Sequence, residues 1–281
     1  YSNALKMQED HFDSLCALGA LYFERAQWGF DKSQWQEALD IYQKIYEHPK
    51  LESDDDVVRR LAVMYEKLGQ IDTSIEYYTK VLANIPEDAD SIQALARLYL
   101  KQGNDQNALH FLQRIIRSDY ISFTERRSAY MTIAEVQTRL ENHREAIEAH
   151  MIALEMGVED PIILKKIGER YIALQEWDSA CEWIEKHYPY SETDDEKVEN
   201  RCLLGEIYIG RGNFDKALEI YRQALEANST WVPAVQGLAS IYEKQGLWNE
   251  VVRCYRDFLQ NLPPDKKILG LPIYLALGNV F

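Results

Sequence analysis

The chain has 281 residues, 46 acidic side chains against 31 basic ones, and four cysteines. A formal charge of −15 argues against a nucleic-acid binder, which needs Lys and Arg to displace phosphate counterions, and it disfavours an anionic membrane surface. A hydrophobic fraction of 46% excludes wholesale disorder, no apolar run approaches the ~18 residues of a membrane span, and the scattered cysteines suit a reducing compartment.

Apolar residues recur at three and four rather than at two, and hairpin-turn signals are nearly absent, so an all-α chain is expected. In chain order, Tyr1, Ala4 and Leu5 fall where the end of a preceding second helix belongs. Then a Leu or Ile, a small residue and, three further on, an aromatic recur: Leu18-Gly19 with Tyr22, Leu61-Ala62 with Tyr65, Leu95-Ala96 with Tyr99. Ile133-Ala134 follows with Gln137 at the aromatic position, then Ile167-Gly168 with Tyr171 and Leu204-Gly205 with Tyr208. Leu238-Ala239 with Tyr242 and Leu277-Gly278 with Phe281 complete the series. The small residues are separated by 43, 34, 38, 34, 37, 34 and 39 positions, so 34 is the base period and the excess is loop.

A second signature lies twelve residues beyond each small residue, at Ser74, Ala108, Ala146, Ala180, Ala217 and Val251. Four positions further come Tyr78, Leu112, His150, Ile184, Tyr221 and Tyr255. Gly69, Gly103, Gly212 and Gly246 mark the turn between the halves, where a left-handed residue ends a helix, and Asn142 is expected to fill that turn in the fourth repeat. Pro86 and Pro263 close their repeats at a shared offset.

This pattern resembles the tetratricopeptide repeat family over nearly the whole chain. The resemblance implies a right-handed α-solenoid, a superhelix of antiparallel helix pairs in a single array. Residues 1–10 would end a preceding repeat. Repeats would follow at 12–52, 55–88, 89–122, 127–160, 161–194, 198–231 and 232–265, with an eighth starting at 271–281. The incomplete ends suggest a window into a longer array. The physical logic is that a helix of about fourteen residues is marginal alone, so each pair buries one face internally and the other on the next pair.

In the first repeat the two small residues, Gly19 and Ala38, are 19 apart rather than 12. The extra length carries Trp28, Phe30 and Trp35, read either as packing between lengthened helices, which is favoured, or as a docking knob.

No catalytic, cofactor or metal site is expected, and the chain is read as a non-enzyme. The six histidines show no metal-ligand spacing, and His150 and His187 fall on core-facing positions. Gly205 and Gly210-Arg211-Gly212 lack the Lys-Ser/Thr of a phosphate loop. The acidic runs Asp54–Asp56 and Glu192–Glu196 precede first helices, where negative charge favours the helix N-terminus. Asn228-Ser229-Thr230 is a sequon that matters only in a secreted protein.

The resemblance also implies that first helices line a concave groove that takes a peptide from a partner. At 100° per residue, a stripe about 130° from the packing stripe runs through Arg59, Val63, Glu66 and Lys67, then Gln93, Arg97, Leu100 and Lys101. It continues through Met131, Glu135, Thr138, Arg139, Lys165, Glu169 and Ile172. Arg59, Lys67, Gln93, Arg97, Lys101, Met131, Arg139 and Lys165 are the candidate groove residues. Over the second to fifth repeats this stripe holds five acids and six bases, so an acidic or mixed-charge segment would suit it, while the ends of the groove are acidic. A carboxylate clamp of the co-chaperone type is disfavoured: Arg59, Arg97 and Arg139 mimic its bases, but the asparagines are missing.

The expected function is a protein-interaction scaffold that binds peptide or helical segments of partner proteins within a multi-subunit assembly. The alternative is a regulatory or substrate-recruiting region of a larger enzyme or of a secretion or transport protein. Expected partners are other proteins, with no direct nucleic acid and no membrane insertion, in an intracellular and most simply cytoplasmic setting.

Overall fold

The helix-period spacing is realised as fifteen α-helices among the described residues. A computed structural model describes residues 12–29, 31–49, 51, 54–119, 121–157 and 159–280. Tyr1, Ala4, Leu5, Phe30 and Phe281, and with them the expected end of a preceding repeat, lie outside the described residues. The chain divides into two compact units, Tyr1–Val136 and Gln137–Phe281.

The first unit contains α1 (Phe12–Trp28), α2 (Lys32–Tyr46), α3 (Asp55–Leu68), α4 (Ile71–Asn84), α5 (Ala89–Gln102) and α6 (Asp105–Arg117). It also holds most of α7 (Phe123–Arg139), inside which the division falls. Helices α1 and α2, α3 and α4, and α5 and α6 form hairpins, and α2 and α4 each pack on the first helix of the following pair. The second unit contains α8 (His143–Glu155), α9 (Pro161–Ala173), α10 (Trp177–His187), α11 (Asp194–Gly210) and α12 (Phe214–Ala227). It ends with α13 (Val232–Lys244), α14 (Trp248–Asn261) and α15 (Leu271–Val280). Consecutive helices of this unit pack on one another throughout, and α11 also touches α13 directly.

The small residue of each first helix does the work its spacing implies. Ala62, Ala96, Ala134 and Ala239 are buried. A Cβ added at Gly19 would come within 2.8 Å of Ile45 Cδ1, one at Gly168 within 2.6 Å of Ile184 Cδ1, and one at Gly205 within 2.6 Å of the Tyr221 ring. Only a hydrogen fits there, so glycine sets how closely the two helices of a hairpin approach. His150 and His187 are both buried, as their repeat positions require. His187 Nδ1 lies 3.1 Å from Asn200 Oδ1, and Asn200 donates onward to Ser191 Oγ at 2.6 Å, which joins α10 to α11 through a buried polar chain.

The hairpin turns share one geometry, with one correction to the sequence reading. Gly69, Gly103, Gly212 and Gly246 have φ of 84°, 69°, 74° and 72°. In the fourth repeat the left-handed residue is Glu141 (φ 61°), not Asn142, and in the fifth it is Gln175 (φ 58°). Asn142 holds the next position, whose N–H donates to the carbonyl five residues earlier, here that of Gln137. Gln70, Asn104, Glu176, Asn213 and Leu247 make the same bond at 2.8–3.0 Å. The side chain of Asn142 adds a 2.8 Å bond to Gln137 Oε1, so asparagine closes the turn from outside the strained residue.

The lengthened first repeat gives an α1 of 17 residues and an α2 of 15. Trp35 is buried against Phe23 in an edge-on contact at 5.7 Å, but Trp28 is 85% exposed and packs on nothing substantial. The packing reading therefore holds for Trp35 and fails for Trp28.

The acidic runs act as helix caps. Asp54 accepts from the N–H groups of Asp56 and Val57 at the start of α3, and Thr193 and Glu196 form a reciprocal capping box on α11. Asn228 accepts from Thr230 N and Oγ1, a local turn ahead of α13.

Candidate functional site

Six of the eight candidate groove residues lie in the first unit, on α3, α5 and α7, while Arg139 and Lys165 belong to the second. Three of the six cations among them are committed to contacts between neighbouring repeats. Arg59 of α3 donates from Nη2 and Nε to Asp88 at 2.8 and 3.3 Å, and from Nη1 to Asp56 at 3.2 Å. Arg97 of α5 forks onto Glu66 of α3 at 2.8 and 3.2 Å. In the second unit, Lys165 of α9 meets Glu199 of α11 at 2.5 Å. Apart from the local Arg59–Asp56 contact, these ion pairs link side chains about one repeat apart, so opposite charges at one-period spacing are the signal that a tally by face overlooks. Lys67, Gln93, Lys101 and Arg139 are exposed, and Met131 is half-buried.

The first unit presents a cleft of about 230 Å³ between α5 and α7, floored by α6. Gln93, Ala96, Arg97 and Leu100 form one wall, Leu112 and Ile115 the floor, and Glu125, Ser128, Ala129 and Thr132 the other wall. It brings together Gln93, Arg97 and the stripe residue Leu100, and leaves Arg59, Lys67, Lys101 and Met131 outside its lining. An apolar floor with a polar rim is the chemistry of a site for a peptide side chain.

The second unit presents a larger cleft, about 600 Å³, between α11 and α13. Glu206, Ile209 and Gly210 face Pro233, Gln236, Gly237, Ser240 and Lys244, and Tyr221, Gln175 and Trp177 close it. Glycine lets an aromatic ring pack against each wall of this cleft. A Cβ at Gly210 would sit 2.3 Å from the Trp177 indole, and one at Gly237 would sit 2.2 Å from the Tyr221 ring. The cleft walls remove part of the hydration of Glu206 and push its carboxyl above the ordinary carboxylate range. Burial likewise raises the Tyr221 hydroxyl, with Cys202 and Glu206 adding repulsion. Of this lining the sequence pattern singled out Gly210 and Tyr221, as a helix-end glycine and a repeat packing residue, and did not bring the cleft together. The available signal was a glycine inside a first helix away from the repeat's small position, as at Gly210 and Gly237.

Among the described residues no group of three or more His, Cys, Asp or Glu side chains has a geometry to hold a metal ion, and no helix is long and apolar enough to cross a membrane.

A family model described as anaphase-promoting complex, cyclosome, subunit 3 matches residues 67–150, and two models described as tetratricopeptide repeat match residues 198–231 and 234–268. The chain carries tetratricopeptide repeats. Tetratricopeptide proteins are generally protein-interaction scaffolds, subunits of large complexes among them. The chain is similar to BBSome complex member BBS4 of Bos taurus, 25% identical over 252 residues that cover 89% of this chain and 41% of that protein. It is also similar to protein O-mannosyl-transferase TMTC1 of Homo sapiens, 22% identical over 259 residues that cover 92% of this chain and 24% of that protein. This tetratricopeptide chain thus spans less than half the length of either relative. A solved structure titled "YrrB: a TPR protein with an unusual peptide-binding site" superposes with a TM-score of 0.51 at 17% identity, over 69% of this chain and 96% of that one. That likeness is one of fold.

Proposed function

We propose that this tetratricopeptide chain holds a peptide or helical segment of a partner protein on its first-helix face, as an interaction scaffold within a multi-subunit assembly. The observation that carries the reading is the α5–α7 cleft, where Gln93, Arg97 and Leu100 stand over an apolar floor. Arg97 enters it as half of an ion pair with Glu66, so the cleft offers a fixed guanidinium edge rather than free positive charge. A mixed-charge segment with an apolar anchor fits that surface better than a purely acidic one. The titled peptide site of the fold neighbour and the complex-subunit descriptions of the matched family model and of BBS4 support the same reading. The four free cysteines support a reducing, cytoplasmic setting.

Site-specific photo-crosslinking tests this. A crosslinker placed at Gln93 captures the partner segment, whereas one at exposed Gln113 on α6 does not. Equal capture from both positions, or undiminished partner binding after charge reversal at Arg97, Lys101 and Arg139 in a folded protein, refutes the groove assignment.

A second reading is favoured by one observation: the match to O-mannosyl-transferase TMTC1 covers 92% of this chain but 24% of that protein. In that reading the same face recruits or regulates a substrate for a larger enzyme or for a secretion or transport protein. The mass and domain content of the native polypeptide separate the two.

A further inference from the structure

The α11–α13 cleft has a chemistry of its own. It holds one carboxylate, Glu206, with no ion-pair or hydrogen-bond partner among the described residues. Two other acids of the second unit are paired: Glu199 with Lys165, and Asp178 with Arg211. Around Glu206 stand the Tyr221 hydroxyl and the polar side chains of Gln175, Gln236 and Ser240, all of which can accept hydrogen bonds. Trp177, which is half-buried, supplies aromatic surface, whose ring face attracts cations, while the buried Tyr221 ring packs against Gly205 and Gly237. Gly210 and Gly237 let the Trp177 and Tyr221 rings pack against the two walls, and the remaining volume of about 600 Å³ lies within the usual ~300–1,000 Å³ range of ligand sites. Lys244 is the single cation of the lining, exposed at the C-terminal end of α13.

We propose that the α11–α13 cleft is a subsite for one basic side chain, arginine or lysine, of a segment bound on the first-helix face of the second unit. The assignment rests on the peptide-binding reading above and deepens it. Glu206 is exposed to the cleft without an ion partner, and the cleft walls, by excluding part of the surrounding water, strengthen its attraction for a cation that enters beside it. A guanidinium matches the site best, because its five N–H donors meet several acceptors while its plane lies against an aromatic ring. An acidic side chain would instead meet Glu206 directly and leave only Lys244 in its favour.

The test is selection of random displayed peptides on wild-type protein, followed by binding of the selected synthetic peptides to wild type, Glu206→Gln and Lys244→Gln at neutral pH. The expected result is a fixed Arg or Lys in the selected peptides, binding weakened at least about tenfold by Glu206→Gln, and binding tightened by Lys244→Gln. Glutamine preserves the shape of residue 206, and an unchanged unfolding midpoint confirms that the variant is folded. Peptides without a basic residue, equal affinity for Glu206→Gln, or binding lost in Lys244→Gln each overturn the subsite while leaving peptide binding standing. Failure to select any peptide overturns both.

Discussion

Asp88 stands where two structural devices meet, and replacing it separates them. Its Oδ2 accepts from Ser91 N at 3.0 Å as the N-cap of α5, and the same carboxylate takes two N–H donors from Arg59 of α3. Asparagine caps as well as aspartate, so Asp88→Asn removes the charge and Asp88→Ala removes charge and cap together. Loss of the cap costs about 1 kcal/mol. The ion pair is only 24% and 13% exposed on its two sides, which places it at the upper end of the ~0.2–1 kcal/mol of exposed pairs, because Asp56 still holds Arg59 after the change. The expected losses are therefore about 1 kcal/mol for Asp88→Asn and about 2 kcal/mol for Asp88→Ala. In an Arg59→Ala background the first should vanish and the second should fall to the cap alone. Urea unfolding, with hydrogen exchange followed in residues 89–102, reads both quantities. Partial burial alone would raise the Asp88 carboxyl, but its bonds from Ser91 and Arg59 outweigh this and hold it below the ordinary range. A carboxyl lowered by folding adds stability that is present above its unfolded value and is lost as the pH falls through its folded value. The gap between wild type and Asp88→Asn should shrink as the pH drops from 7 toward 3. Equal losses for the two variants, or a gap that widens in acid, would refute the reasoning.

Three further outcomes follow from the geometry. Glu141→Gly should stabilise by about 0.5–1 kcal/mol, because relief of a left-handed non-glycine residue exceeds the added freedom of the unfolded chain, whereas Gly103→Ala should cost about 1 kcal/mol; thermal unfolding of both decides it. Gly237→Ala should destabilise by about 1–3 kcal/mol despite its better helix propensity, since the new Cβ would lie 2.2 Å from a Tyr221 ring already pinned by Gly205, and an unchanged unfolding midpoint would count against the packing account. Burial pushes the Cys202 thiol up to about 12 and Cys254 to about 11, so neither should react with a thiol reagent at pH 8 until the protein unfolds, as timed labelling will show.

Much of the fold was legible because a repeat states each requirement many times. The close approach at Gly19, Gly168 and Gly205 and the left-handed turns at Gly69, Gly103, Gly212 and Gly246 favour a residue without a Cβ, and that preference is written in one letter. Asn142 misled because asparagine tolerates the left-handed region and sits beside it, while the period itself pointed to Glu141. The site was less legible. Arg59, Arg97 and Lys165 do lie on first helices, but their charges are spent on Asp88, Glu66 and Glu199, which a count of one face treats as independent.

By itself, the sequence determined what depends on residue identity at a fixed spacing: helices, their pairing, the small contact positions, the turns and the caps. Each of these is a local or next-repeat requirement, and the period carries it along the chain. Only the tertiary structure decided which charges neutralise one another, which side of the aromatic insertion is buried, and where space remains. Trp35 is covered and Trp28 is not, and in the cleft between α11 and α13 two off-pattern glycines lie against aromatic rings from other helices. Such outcomes depend on distances between side chains brought together by packing; one-period spacing makes a charge pair possible, but only the packed distances decide whether it forms.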